Sequence, residues 1–268
     1  MEKVCYNFQM TIFNAAILGL VEGITEFLPI SSTAHLIFTS KILNIPQSDF
    51  QKFFDVFIQS GAILAVVFLY IHYVLNNKEI VKKALVSFLP TAVAGFLLYT
   101  IIKKVFFETN LLIIGSLVTM GLVFFVIEFL IKKKHLKLTR DLGKINYFQA
   151  FVIGLAQALA VVPGVSRSGI VMVAMMAMGY KRDESAQYSF LLAVPTILMA
   201  SLYDFYKMRQ TLVFTTNNFV VLGVGFAVSF ITAYLAMKWL IAYLKKNSLV
   251  IFGIYRLLLA IILLGMFR

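Results

Sequence analysis

The chain of 268 residues has one cysteine, Cys5, so no internal disulfide can staple it. It is also short of charge. Only 13% of the residues are charged and twelve are acidic, against 61% hydrophobic residues and 26 phenylalanines. That composition excludes a soluble globule and fits a polytopic membrane protein. The net charge of +12 comes without a nucleic-acid-binding motif or a solvated basic helix. The basic residues therefore read as cytoplasmic loop residues, and no nucleic acid is expected as a partner. The first apolar run, from Thr11, is interrupted by Glu22, and no small-residue cleavage site follows it. It is expected to belong to the mature protein and not to a signal peptide.

What the chain does have is long apolar runs. Six look long enough to cross a bilayer: about 53–74, 85–104, 111–131, 187–206, 217–243 and 249–267. Four shorter ones come in pairs. Residues 11–28 and 33–45 are separated by Pro29 and serines, and 147–162 and 167–180 by Pro163-Gly164 and more serines. Hydrophobic segments broken in this way predict re-entrant hairpins that dip into the membrane and return. The expected fold is all-α and membrane-integral, with about six spanning helices and two re-entrant helical hairpins.

The two halves resemble each other. GLVEGITEFLPISS recurs as GLAQALAVVPGVSRS, with Ser32 and Ser166 offset by 134 and Gly19 and Gly154 by 135. Gly61-Ala-Ile-Leu matches Pro195-Thr-Ile-Leu at 134. The expectation is one polytopic domain. A first repeat covers about 1–131, a basic cytoplasmic loop 132–146 and a second repeat about 147–268, with the second repeat inverted in the membrane. Thirteen Lys and Arg then fall inside, against eight outside (Lys3, Lys41, Lys52, Lys103, Lys104, Lys207, Arg209 and Arg268). This bias puts both termini outside. The first hairpin then enters from the outer face and the second from the cytoplasm, so their tips meet at depth.

The chemistry gathers at those tips. Glu22 and Glu26 share one helix face in an apolar stretch, where an unpaired charge costs about 3 kcal/mol or more. They offer hard carboxylate oxygens to a divalent cation such as Mg2+ or Ca2+. Ser31 or Ser32 can cap the helix that returns after Pro29, and Ser166 the helix opened by Arg167 and Ser168. Helix N-termini favour phosphate, and Arg167 can grip two oxygens at once. Ser31, Thr33, Ser166, Arg167 and Ser168 form the candidate phosphate-binding set. Ser32 is the favoured nucleophile, and His35, one turn on, a candidate base or proton donor. A histidine nucleophile and metal-bound water stay open as alternatives.

EGITEFLPISSTAH together with PGVSRSG resembles the undecaprenyl-pyrophosphate phosphatases of the bacitracin-resistance (BacA/UppP) type, and the similarity extends to FFDVFIQSGAILAVV and SFLLAVP. The resemblance implies a metal-dependent enzyme of the cytoplasmic membrane that removes one phosphate from a polyprenyl diphosphate on the extracytoplasmic side. It implies the recycling of a carrier lipid for cell-wall synthesis. By position, Glu22 and Glu26 match the family's acidic pair, Ser32 and His35 its serine and histidine, and Ser166 and Arg167 its phosphate-gripping motif. Two positions depart from the pattern: Val171 stands where the family usually has threonine, and Ala34 where it usually has glycine.

The expected partners are the polyprenyl diphosphate lipid, the bilayer and, as an option, a second copy in a homodimer. The rival function is a transporter or flippase of the lipid carrier, because inverted repeats with broken helices also build secondary transporters. Other polar residues read as structural. Glu128 is expected to pair with the Lys132–Lys134 run or face water, and Lys238 and Arg256 to reach the interface from their helix ends. Gln157 takes Glu22's place in the second repeat and either bonds the metal site's water or is structural, while Asp55 and Gln59 either line the pocket or start their span. Gly95 and the Gly223/Gly225 pair are expected to let helices approach closely.

Overall fold

A computed structural model describes residues 10–46, 48–101, 110–208 and 216–266. Cys5, Lys3, Lys103, Lys104, Arg209 and Arg268 lie outside the described residues. Ten α-helices make up the described chain: α1 (Ile12–Thr25), α2 (Ser32–Ile42), α3 (Asp49–Asn76), α4 (Lys78–Ile101), α5 (Asn110–Lys132), α6 (Tyr147–Ala158), α7 (Arg167–Ala177), α8 (Arg182–Met208), α9 (Thr216–Leu244) and α10 (Val250–Met266). The described residues contain no strand, only an isolated bridge between Arg140 and Tyr180.

Five helices, α3, α4, α5, α8 and α9, are long and apolar enough to cross a membrane. The sixth expected span, α10, has 17 described residues, about 26 Å of helix, and so falls short of a ~30 Å hydrocarbon core. Its expected range ran on to 267, which is not described. The outer surface fits lipid. Phe13, Phe68, Phe96, Leu111, Phe148 and Ile261 are each more than 60% exposed, a surface too apolar for water.

Local chemistry sets the helix starts. Thr11 caps α1 by accepting from the Asn14 N–H at 3.1 Å, and Ser48 caps α3 by accepting from that of Gln51. That cap starts α3 at Asp49, ahead of its apolar run. Asn146 and Gln149 form a reciprocal capping box at the start of α6.

The pairs α1–α2 and α6–α7 are the two expected hairpins, each too short to span. Their packing matches: α1 lies against α9, and α6 lies against α4. Gly19 and Gly154 mark the equivalent crossings. A Cβ on Gly19 would come within 2.5 Å of the Gly225 carbonyl oxygen, and one on Gly154 would collide with the backbone of Ser87. Gly225 thus serves the close approach expected of it. Gly95 and Gly223 do not, because nothing lies within 4 Å of a Cβ built on either.

The turns of both hairpins lie in the main core. Phe27 and Ile30 of the first turn share an apolar cluster with Met172 and Met176 of α7, Phe124 of α5 and Phe190 of α8.

Candidate active site

Each hairpin turns back through a serine in an uncommon backbone conformation. Ser31 has φ 74° and ψ 93°, and Ser166 has φ 71° and ψ 111°. Each caps the helix that follows: Ser31 Oγ accepts from the Ala34 N–H at 3.5 Å, and Ser166 Oγ from the Gly169 N–H at 3.3 Å. A positive φ on a non-glycine residue is costly and persists where the surroundings hold it. The shared geometry corrects the alignment of the repeats by one residue. Ser166 is the counterpart of Ser31, at the 135 offset of the glycines, and Ser32 is therefore the counterpart of Arg167.

Ser32 and Arg167 are the first residues of α2 and α7, and both bond to one carboxylate. The Ser32 hydroxyl donates to Glu26 Oε2 at 2.5 Å, and Arg167 Nη2 donates to Glu26 Oε1 at 3.0 Å. The Arg167 and Glu26 side chains are 11% and 8% exposed, so the ion pair is shielded from bulk water. Ser168 adds a second tie between the hairpins by donating to the Leu28 carbonyl at 3.2 Å, and its hydroxyl lies 3.1 Å from that of Ser166. Thr33 is half-buried in the first turn of α2.

Glu22 lies one turn before Glu26 and is fully buried. Among the described residues, neither of its carboxylate oxygens has a hydrogen-bond partner, nor has Arg167 Nη1. The ionisable side chains around Glu22 are Glu26, Asp55 and Arg167. Asp55 itself accepts from Gln51 Nε2 at 2.8 Å, inside α3 and not at its start. A buried carboxyl and a buried guanidinium N–H that both lack partners are costly unless a ligand completes them. The donor set suits a hard cation that takes one or two carboxylates from protein and the rest of its shell from water and phosphate. Among the described residues, no group of three or more His, Cys, Asp or Glu could hold a metal unaided.

His35 is used differently from the sequence expectation. Its Nδ1 lies 2.7 Å from the Ser31 carbonyl oxygen, and its Nε2 lies 2.7 Å from the Tyr255 hydroxyl. A carbonyl only accepts, so Nδ1 carries the proton and Nε2 accepts from Tyr255. Both ring nitrogens are engaged, and the group placed to take the Ser32 proton is Glu26.

Two residues read as peripheral turn out to be buried. Glu128 pairs with Arg182 through two hydrogen bonds, Nε to Oε1 at 2.8 Å and Nη2 to Oε2, and also accepts from the Leu249 N–H. It neither faces water nor pairs with the Lys132–Lys134 run, because at 6% exposure it needs a partner that can follow it inside. Arg256 does not reach the interface. It is fully buried at the middle of α10 and bonds to backbone carbonyls of both hairpin turns. An arginine within an apolar helix was the signal that could have found it. Gln157 is fully buried and donates to Thr91 of α4 and Thr196 of α8. Val171 is fully buried in an apolar cluster with Ile153 and Met175, and Ala34 in one with Ile113 and Leu117.

The family model described as bacitracin resistance protein BacA matches residues 15–262. The chain belongs to this family. Its relatives include a protein of Sulfurihydrogenibium sp. named undecaprenyl-diphosphatase, 46% identical over 94% of this chain and 98% of that protein. Proteins of Persephonella marina and Aquifex aeolicus carry the same name. They are 45% and 42% identical, covering 95% and 96% of this chain and 98% and 99% of their own lengths. The membership spans both hairpins and all five membrane-crossing helices, so the protein is a multi-pass membrane protein.

Proposed function

We propose that the chain is a membrane-embedded phosphatase that hydrolyses undecaprenyl diphosphate to the monophosphate and inorganic phosphate, recycling the carrier lipid and conferring bacitracin resistance. The observation that carries this reading is Glu26, which accepts from Ser32 of one hairpin and Arg167 of the other. A nucleophile, its base and a phosphate-gripping cation are thereby joined at two helix N-termini. Transport of the head group calls for only some of these.

The terminal phosphate sits across the N-termini of α2 and α7, where free backbone N–H groups and the helix dipoles favour an anion. Arg167 Nη1 takes one of its oxygens. Ser32 Oγ attacks the terminal phosphorus while its proton passes to Glu26. The bond from phosphorus to the bridging oxygen breaks, and the polyprenyl monophosphate leaves with that oxygen. Water then attacks the phosphoserine, releases inorganic phosphate and restores the Ser32 hydroxyl. His35 holds the Ser31 carbonyl, and with it the turn that aims Ser32. Glu22 and Glu26 would hold a divalent cation, for which the small number of protein ligands favours Mg2+; it would supply neutralisation of diphosphate charge.

The matched packing of α1 on α9 and of α6 on α4 supports an inverted repeat. With the loop charges, it supports a site open to the extracytoplasmic side of the cytoplasmic membrane. The test is inorganic phosphate release from farnesyl diphosphate by the purified protein in detergent, with Mg2+ and with EDTA. Metal-dependent release above a Glu26→Gln control is expected. Its absence, with lipid binding retained, would move the assignment to transport.

A further inference from the structure

We propose that α10 is a clamp on both hairpin turns, with Arg256 and Tyr255 acting as positioning residues for phosphoryl transfer. The proposal rests on Glu26, Ser32 and Arg167 being the reacting cluster.

Every nitrogen of the Arg256 guanidinium bonds to backbone. Nη1 donates to the Pro29 carbonyl at 3.2 Å, two residues before Ser31. Nη2 reaches the carbonyls of Gly164 at 2.5 Å and Val165 at 3.3 Å, the two residues before Ser166. Nε and Nη2 also reach the carbonyls of Leu117 and Ser116 on α5, each at 3.3 Å. The Phe124 ring lies 5.6 Å from the guanidinium carbon. Among the described residues no carboxylate is a hydrogen-bond partner of Arg256, and five carbonyl dipoles solvate this buried cation.

This arrangement answers a problem set by the turns. Non-helical backbone in an apolar interior leaves carbonyls unpaired unless protein supplies donors. A planar fork with five N–H groups suits that demand, and an ammonium does not. The next residue extends the clamp. The Tyr255 hydroxyl bonds His35 Nε2, and His35 Nδ1–H bonds the Ser31 carbonyl. One dipeptide on α10 thus holds both turns immediately ahead of the serines with positive φ, Ser31 and Ser166. Those serines precede Ser32 and Arg167, so any slack in the turns moves nucleophile and cation relative to each other.

The experiment uses the full-length protein in detergent, with phosphate release from farnesyl diphosphate in Mg2+ and hydrogen exchange of peptides covering 27–35 and 162–169. Arg256→Lys keeps the charge and loses the fork. The clamp predicts kcat lower by about 100-fold, KM within about threefold, and faster exchange in both turns. Tyr255→Phe should lower kcat by about tenfold and speed exchange in the first turn only. A kcat for Arg256→Lys within about threefold of the parent, or a raised KM at unchanged kcat, overturns the proposal, since either would make Arg256 packing or a substrate ligand. If Arg256→Lys is not monodisperse, Tyr255→Phe decides: unchanged kcat and exchange overturn the clamp. Arg167→Ala is the control for the underlying reading. If it stays active, the reacting cluster is misassigned and the clamp falls with it; if it is dead while the α10 variants are normal, only the clamp falls.

Discussion

Replacing Glu26 with glutamine separates the roles that this carboxylate combines. The side chain keeps its shape and retains one acceptor oxygen, yet it must now satisfy two donors, Ser32 Oγ at 2.5 Å and Arg167 Nη2 at 3.0 Å. The amide –NH2 cannot face the guanidinium, which only donates, so the amide oxygen turns to Arg167 and the –NH2 to Ser32. The serine then accepts where it had donated, and its proton has nowhere to go. Loss of a general base costs about 100- to 10,000-fold in rate, or about 2.7–5.4 kcal/mol of transition-state stabilisation. Because one hydrogen bond to Arg167 survives, the stability loss should be well under the about 3–5 kcal/mol expected when a buried pair loses a partner. The assay is kcat for phosphate release from farnesyl diphosphate at saturating Mg2+, with the thermal midpoint followed by size-exclusion chromatography. A variant that folds and keeps kcat within about threefold of the parent would refute Glu26 as the base.

Ser32→Ala should leave the fold intact and remove turnover by at least about 1,000-fold; retained activity would pass the attack to water or His35. Glu22→Gln should lower kcat and raise the Mg2+ concentration needed for half-maximal rate, with an unchanged metal profile counting against its carboxylate as a ligand. Gly19→Ala forces a Cβ onto the Gly225 carbonyl and should cost about 1–3 kcal/mol, seen as a lower thermal midpoint. Gly223→Ala, with open space at the equivalent atom, should be neutral or slightly stabilising, by up to about 1 kcal/mol.

The elements were legible where composition alone decides them. Long apolar runs marked α3, α4, α5, α8 and α9, and Pro29 and Pro163-Gly164 marked the turns of both hairpins. The site chemistry was legible as a set of residue types, because carboxylates, serines and an arginine in apolar sequence need one another. Their pairing was not. A histidine one turn from Ser32 reads as its base, yet a tyrosine 220 residues away bonds His35, and the Ser32 hydroxyl bonds Glu26. Adjacent serines hid which of them matches Ser166, since φ is not written in the letters. Arg256 and Glu128 were misjudged for the same reason: their partners lie on other helices and in the hairpin turns, 54 to 227 positions distant.

The ion pair between Glu26 and Arg167 joins residues 141 positions apart, one from each hairpin. A nascent polypeptide therefore cannot close this pair until the ribosome has passed the second hairpin, and the Arg256 bonds to both turns wait for α10. Cutting the gene in the basic connector should give two fragments, each inert by itself, that regain lipid diphosphate cleavage when produced in the same cell.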